Sequence, residues 1–224
     1  MIADARGNAQ ANAATAAASA VPTRATTLFS SGSYRCSEID FRDAERLQRF
    51  FEANPEYHVA VNGEPPRSDE ARLEFESSLP AGWPYAKRWL VRFTDADDSM
   101  VAMADTIEDL FAAGVWHLGL FVVATPLHGG GAAYRLYDDL ETWMRCRGAR
   151  WSRLGVVEGN VRAERFWEKV GYFEVRKRNG AAMGRRVNTL RVMVKPLAGG
   201  RLADYLAAPA GDTLAGVRSG AHQP

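Results

Sequence analysis

Val115-Trp116-His117-Leu118-Gly119-Leu120-Phe121-Val122-Val123, followed shortly by His128-Gly129-Gly130-Gly131-Ala132-Ala133, is the stretch on which the reading of this chain turns. The first nine residues are apolar on both alternating faces, the pattern of a central strand covered on both sides. The glycines follow the strand and lead into a helix pattern. A strand, a glycine turn and a helix start together present backbone N–H groups and the positive helix end, which is an anion site. Three glycines also remove the Cβ atoms that would hold a phosphate away from the backbone. The nucleotide fingerprints do not fit: no Gly-Lys-Ser/Thr follows, and the strand comes late, unlike the opening strand of a dinucleotide unit.

Downstream, 132–147 is an amphipathic helix with Ala133, Leu136, Tyr137, Leu140, Trp143 and Met144 on one stripe, closed by Gly148. Trp151 to Val157 reads as a strand, Val161 to Val170 as a helix ended by Gly171, and Tyr172 to Lys177 with Val187 to Val194 as a strand pair across a basic loop. Upstream, Arg88 to Phe93 and Met100 to Ile107 form a meander with the central strand. Tyr34 to Ile39 is a further strand, Arg42 to Phe51 a helix with Asp40 as N-cap, and a short helix follows Ser68. Asn54-Pro55 ends the first of these helices. The pattern predicts an α/β fold with a mixed, mostly antiparallel sheet of six to seven strands and helices on both faces.

The length of 224 residues argues for one domain, at 29–197, between an alanine-rich tail at 1–28 and a tail at 198–224 in which Leu202 to Leu206 forms a helical turn or two. The small-residue run before Val21 lacks the apolar stretch of a signal peptide, and no segment approaches a membrane span, so a cytoplasmic chain is expected. A net charge of +1 gives no general affinity for nucleic acid or membrane. Cys36 and Cys146 match no metal spacing and are expected to be reduced, and no metal is expected.

From His128 through Asn160, Ala163, Phe166-Trp167 and Gly171-Tyr172 the chain resembles the GNAT N-acetyltransferases, over about Tyr34 to Leu197. His128, Gly131 and Ala133 stand where that family has Arg or Gln, Gly, and Gly or Ala. The resemblance implies acetyl-CoA as donor, a sheet splayed between its fourth and fifth strands, and a pantetheine arm lying in the gap. It places Phe121, Val122 and Val123 along the arm. Gly129, Gly130, Gly131, Ala132, Ala133 and Tyr134 lie around the pyrophosphate, with His128 beside them as a weaker contact than an Arg. Asn160 is either a pantetheine contact or a plain N-cap, or both.

Transfer of an acetyl group requires a neutral amine, a polarised carbonyl and a proton for the leaving thiolate. The N–H of Val123 is expected to polarise the carbonyl, as a strand amide does in the family. Where many members carry a tyrosine acid this chain has Trp167, read as core or as a wall beside the thioester. Tyr172 and Tyr57 are more distant acids. Gly155 stands where some members have a glutamate base, so His117 is the first choice for a base, against the reading of a core histidine. Asp105, Glu108 and Glu158 are alternatives. The acceptor pocket is expected from 54–58, Glu64 and the basic hairpin at 176–186. The implied partner is a small-molecule or peptide amine, with a homodimer left open. A binding module that holds acyl-CoA without transfer is the alternative function.

Overall fold

The computed structural model describes residues 26–207, and the outer parts of both expected tails, 1–25 and 208–224, lie outside the described residues. Among the described residues eight strands form one sheet: β1 (Thr27–Ser31), β2 (Tyr34–Glu38), β3 (Lys87–Thr94), β4 (Met100–Glu108), β5 (Val115–Val123), β6 (Trp151–Val157), β7 (Phe173–Met183) and β8 (Arg186–Pro196). Their spatial order is β1-β2-β3-β4-β5-β6-β8-β7, and the β5–β6 pair alone is parallel. The α-helices among the described residues are α1 (Ala44–Ala53), α2 (Glu56–Asn62), α3 (Glu70–Glu76), α4 (Ala132–Cys146), α5 (Val161–Lys169) and α6 (Leu202–Ala207).

The strand count corrects the expectation of six to seven. The added strand is β1, a hairpin partner of β2 across a turn in which Gly32 has φ +57°. It begins inside the stretch assigned to the tail because Phe29 anchors it, packing on Phe93 and Trp143 with ring centroids 5.7 Å from each. At the other end, α6 forms where the sequence reads a helical turn or two at Leu202 to Leu206, inside the second assigned tail. Tyr205 buries its ring against Trp151, centroids 5.3 Å apart, and so docks the helix. A further difference is α2, in a stretch to which the sequence pattern assigns no element: Pro55 occupies the N-cap position and Gly63, at φ +76°, closes the helix. Asp40 does cap a helical turn, accepting from the N–H of Arg42, but that turn is the short 3-10 segment Phe41–Asp43 ahead of α1.

Two apolar layers hold the sheet. On one face α4 contributes Leu136, Tyr137, Leu140 and Met144, and with Trp167 of α5 they cover Trp116, Leu118, Leu154 and Val156. On the other, Leu47, Phe50 and Phe51 of α1 cover Leu90, Met103, Leu120 and Val122. Each such side chain contributes about 1.5–3 kcal/mol when fully buried.

These layers show that β5 changes face partway along. Trp116 and Leu118 point toward α4, whereas Leu120 and Val122 point toward α1. The register supplies the cause. Thr106 pairs with Leu118 but Asp105 with Leu120, so Gly119 is an extra residue, a β-bulge. A bulge bends its strand and increases the local twist. Pairing of β5 with β6 runs from Val115–Trp151 to Leu118–Leu154 and stops there, at Gly119 and Gly155.

Candidate functional site

The opening between β5 and β6 starts at the bulge. Beyond it the backbone polarity of β5 follows from its pairing with β4. The N–H of Ala124 donates to the carbonyl of Val101 at 2.8 Å, so the alternation of an antiparallel ladder turns the N–H and C=O of Val123 and Phe121 away from β4, toward the opening. Val122 lies between them with its backbone directed at Met103.

A cavity of about 630 Å³ occupies this opening. Phe121, Val122 and Val123 line it from the strand; His128, Gly129, Gly131, Ala133 and Tyr134 from the turn and α4; Asn160 and Trp167 from α5 and its cap. Ten of the expected site positions therefore meet around one space, although they come from three separate segments. Gly130 and Ala132 do not line it, and Ala132 is buried beneath the turn.

The turn's geometry follows from its residues. Gly129 and Gly131 take φ +79° and +77°, a region costly for any side chain, and a Cβ placed on Gly129, Gly130 or Gly131 would have no neighbour within 4 Å. The space above the backbone is thus open. Gly131 is the N-cap of α4 and supplies no side-chain cap, and no acidic residue stands in the first turn, so the positive end of a 15-residue helix faces that space. This suits a phosphate group.

His128 does not extend over the turn. Its Nε2 lies 2.8 Å from the carbonyl oxygen of Val123, so it ties the turn to the strand edge. Asn160 caps α5, its Oδ1 accepting from the N–H of Ala163 at 3.3 Å, and also lines the cavity. Trp167 is buried edge-on against Tyr137 and Tyr172, at 5.2 and 5.4 Å, with one side on the cavity, and is both core and wall.

His117 is not brought to the cavity. It sits on the closed part of the sheet, between Ile107 of β4 and Arg153 of β6, and six residues of strand, roughly 20 Å, separate it from Val123. The acid candidates divide as clearly. The hydroxyl of Tyr172 is buried between Tyr137 and Ser152, at 2.7 and 2.5 Å, away from the cavity. Tyr57 lines the cavity instead, and burial followed by the charges of Glu74, Glu70 and Asp105 raises its phenol well above the ordinary value, so it keeps its proton. Its neighbour His58 turns into the core, edge-on to Phe51 at 4.9 Å and 3.6 Å from Glu70, with burial lowering its pKa.

Two cavity residues, Asn54 and Glu56, connect the helices to the end of β5. Asn54 Oδ1 accepts from the N–H of Thr125 at 2.7 Å, and the Thr125 hydroxyl donates to Glu56 at 2.7 Å, which holds that carboxyl below its ordinary value. The sequence reads Asn54 only as a helix end and part of an acceptor loop. The basic hairpin is partly structural: Arg185 pairs with Glu64 at 2.6 Å, and Arg186 and Asn188 donate to the carbonyls of Ala60 and Val61 of α2.

Among the described residues no cluster of three or more His, Cys, Asp or Glu is placed to hold a metal, and no helix is long and apolar enough to cross a membrane. Cys36 and Cys146 are unpaired thiols, and burial raises that of Cys36.

A mixed sheet opened along one strand, with a glycine turn and helix end above the opening, is an acyltransferase architecture. The model of the Acetyltransferase (GNAT) family matches residues 41–172, and the chain belongs to that family. Solved structures with the same fold include a GCN5-related N-acetyltransferase from Kribbella flavida, at 20% identity and TM-score 0.54, covering 75% of this chain and 100% of that one. The ribosomal-protein-S18-alanine N-acetyltransferase from Escherichia coli matches at 16% identity and TM-score 0.54, over 75% of this chain and 96% of that one. The spermidine N-acetyltransferase from Vibrio cholerae, in complex with CoA and spermine, matches at 14% identity and TM-score 0.57, over 75% and 97%. No curated protein matches the sequence.

Proposed function

We propose that this protein transfers an acetyl group from acetyl-CoA to the amine of a small molecule or peptide. The observation that carries the reading is the opening of β5 from β6 beyond Leu118, which leaves the backbone of Phe121 and Val123 facing a cavity that ends at the glycine turn. The CoA bound by the Vibrio cholerae spermidine N-acetyltransferase, which shares the fold, supports the same reading.

In this reading the pyrophosphate lies over Gly129 to Tyr134, the pantetheine arm runs along Phe121 to Val123, and Trp167 and Asn160 form the opposite wall. The N–H of Val123 polarises the acyl carbonyl. The amine nitrogen adds to the carbonyl carbon, the carbon–sulfur bond breaks, and the proton lost by the amine balances the one gained by the thiolate. Tyr57, which holds its proton and lines the cavity, is the proposed donor to that sulfur. His117, on the closed part of the sheet, is too far along the strand to serve as base in this arrangement. The cytoplasm remains the proposed location.

The test is thiol release from acetyl-CoA with a panel of amines, alongside the coenzyme's effect on the melting temperature. Release with at least one amine is expected, together with a stabilising shift that Gly131→Trp abolishes. A shift without release from any amine would instead support the binding-module alternative.

A further inference from the structure

The cavity between β5 and β6 carries charge of opposite sign on two of its sides. Arg162 and Lys169 line it from α5, and Glu56 lines it from α2. Among the described residues that line it, Glu56 is the single acid. None comes from the β7–β8 hairpin, whose Arg185 and Arg186 are held by Glu64 and by the carbonyl of Ala60. Tyr57, the next residue of α2, also lines the cavity, and the charges that act on its phenol are those of Glu74, Glu70 and Asp105. Arg88 bridges Glu74 and Asp105 and offsets part of that charge. The α2 side is therefore acidic and the α5 side basic.

Glu56 is exposed, in the first turn of α2, yet its carboxylate is held in place. Its Oε2 accepts from the Thr125 hydroxyl at 2.7 Å, and the N–H of Thr125 donates to Asn54 Oδ1 at 2.7 Å. Asn54 is buried and donates in turn from Nδ2 to the carbonyl of Phe50 at 2.7 Å. The end of β5 and the end of α1 thus fix where the carboxylate stands. Glu56 makes no ion pair among the described residues: the Thr125 hydroxyl is the first cause of its lowered pKa, and the charges of His128 and Arg162 come last. It faces the cavity as an anion at neutral pH.

Thr125 lies two residues beyond Val123, roughly 7 Å along the chain at strand spacing. A cation on Glu56 is about that far from the carbonyl that the Val123 N–H polarises. It is not the attacking nitrogen, because a carboxylate in contact would hold that nitrogen in its protonated, unreactive form. The contact suits a second charge on the same molecule. Bound coenzyme sharpens the contrast, since its phosphates offset the α5 cations and leave the charge of Glu56 to act on the acceptor.

We propose that Glu56 selects the acceptor, and that the acceptor is an amine with a second positive charge a few bonds from the nitrogen that is acetylated, as in a short aliphatic diamine. The inference rests on the acetyltransferase reading above.

The experiment measures thiol release at saturating acetyl-CoA from 1,4-diaminobutane, n-butylamine and 4-aminobutanoate, which share one carbon chain and end in a positive, a neutral and a negative group. The diamine is expected to exceed n-butylamine in kcat/KM by about tenfold or more, the scale of one charge-assisted hydrogen bond, with 4-aminobutanoate below both. Glu56→Gln should bring the ratio of diamine to n-butylamine toward one, through the KM of the diamine. Glu56→Arg should make 4-aminobutanoate the better of the two charged acceptors. A coenzyme-induced melting shift in each variant checks that it is folded, and Thr125→Val, which removes the hydroxyl holding the carboxylate, lowers the same ratio if the Glu56 variants fail to fold. Equal kcat/KM for the diamine and n-butylamine, release confined to amines without a second positive charge, or a ratio unchanged in both Glu56 variants would overturn the inference alone. No release from any amine of a wider panel would overturn the transferase reading and this inference with it.

Discussion

His128 Nε2 and the carbonyl oxygen of Val123 stand 2.8 Å apart, so the residue that opens the glycine turn is fastened to the strand edge that faces the cavity. The contact needs a proton on Nε2. One such bond contributes about 1 kcal/mol. His128→Ala is expected to leave the fold intact and weaken coenzyme binding about fivefold, by freeing the turn; titration calorimetry with acetyl-CoA checks it.

The glycines of the turn should differ in a way their sequence does not show. Gly131 has φ +77° and Gly130 does not have a positive φ, yet neither has a neighbour within 4 Å of a Cβ position. Gly131→Ala should therefore cost about 1–2 kcal/mol of stability through backbone strain, whereas Gly130→Ala should be close to neutral. Urea denaturation midpoints distinguish them.

On α5, Arg162, Arg165 and Lys169 border a hollow against Tyr134 beside the glycine turn, with the Lys169 ammonium 4.7 Å from the Tyr134 ring. These cations are expected to strengthen coenzyme binding by long-range attraction. Replacing Arg165 and Lys169 together by Gln should weaken binding several-fold at low ionic strength, and the difference should shrink as salt is raised toward 1 M, where the screening length falls to about 3 Å. A difference that persisted unchanged in high salt would count against the assignment.

Arg88 donates to Asp105 at 3.0 Å from both Nε and Nη2 and also pairs with Glu74. Burial first, and then the charge of Asp105, raises the Glu74 carboxyl to about 7. Between its ordinary value of about 4.5 and 7, the folded chain holds a proton there that the unfolded chain has released, so Glu74 makes stability fall as pH rises through that window. Glu74→Gln removes this contribution. The variant should gain stability relative to the parent between pH 5 and pH 8; an equal difference at both pH values would refute the shift.

Much of the fold is legible in the residues because it is local. The bounds of β5 and β6 follow from apolar runs, α4 from a stripe at helical spacing, and the turn between strand and helix from three glycines. Where the reading stops, the cause is also specific. Pro55 reads as the end of α1, but proline is equally suited to a helix start, and α2 follows it. β1 begins where the alanine-rich stretch gives way to Leu28 and Phe29, and its stability comes from Phe93 and Trp143, more than sixty residues away. Gly119 reads as one small residue in an apolar strand. Its role as a bulge shows only in the offset between Thr106–Leu118 and Asp105–Leu120.

By itself, the sequence determined the strand–turn–helix unit, the spacing from His128 to Asn160 and Trp167, and hence the family, because these depend on backbone preference and side-chain periodicity within short segments. Tertiary structure decided which groups share the cavity. It kept His117 on the closed part of the sheet, turned Tyr57 toward the opening and His58 into the core, seated His128 on Val123, and brought Glu56 to the end of β5. Each of these outcomes depends on register and twist between strands distant in the chain. One extra residue at Gly119 is enough to exchange the two faces of β5 and end its pairing with β6.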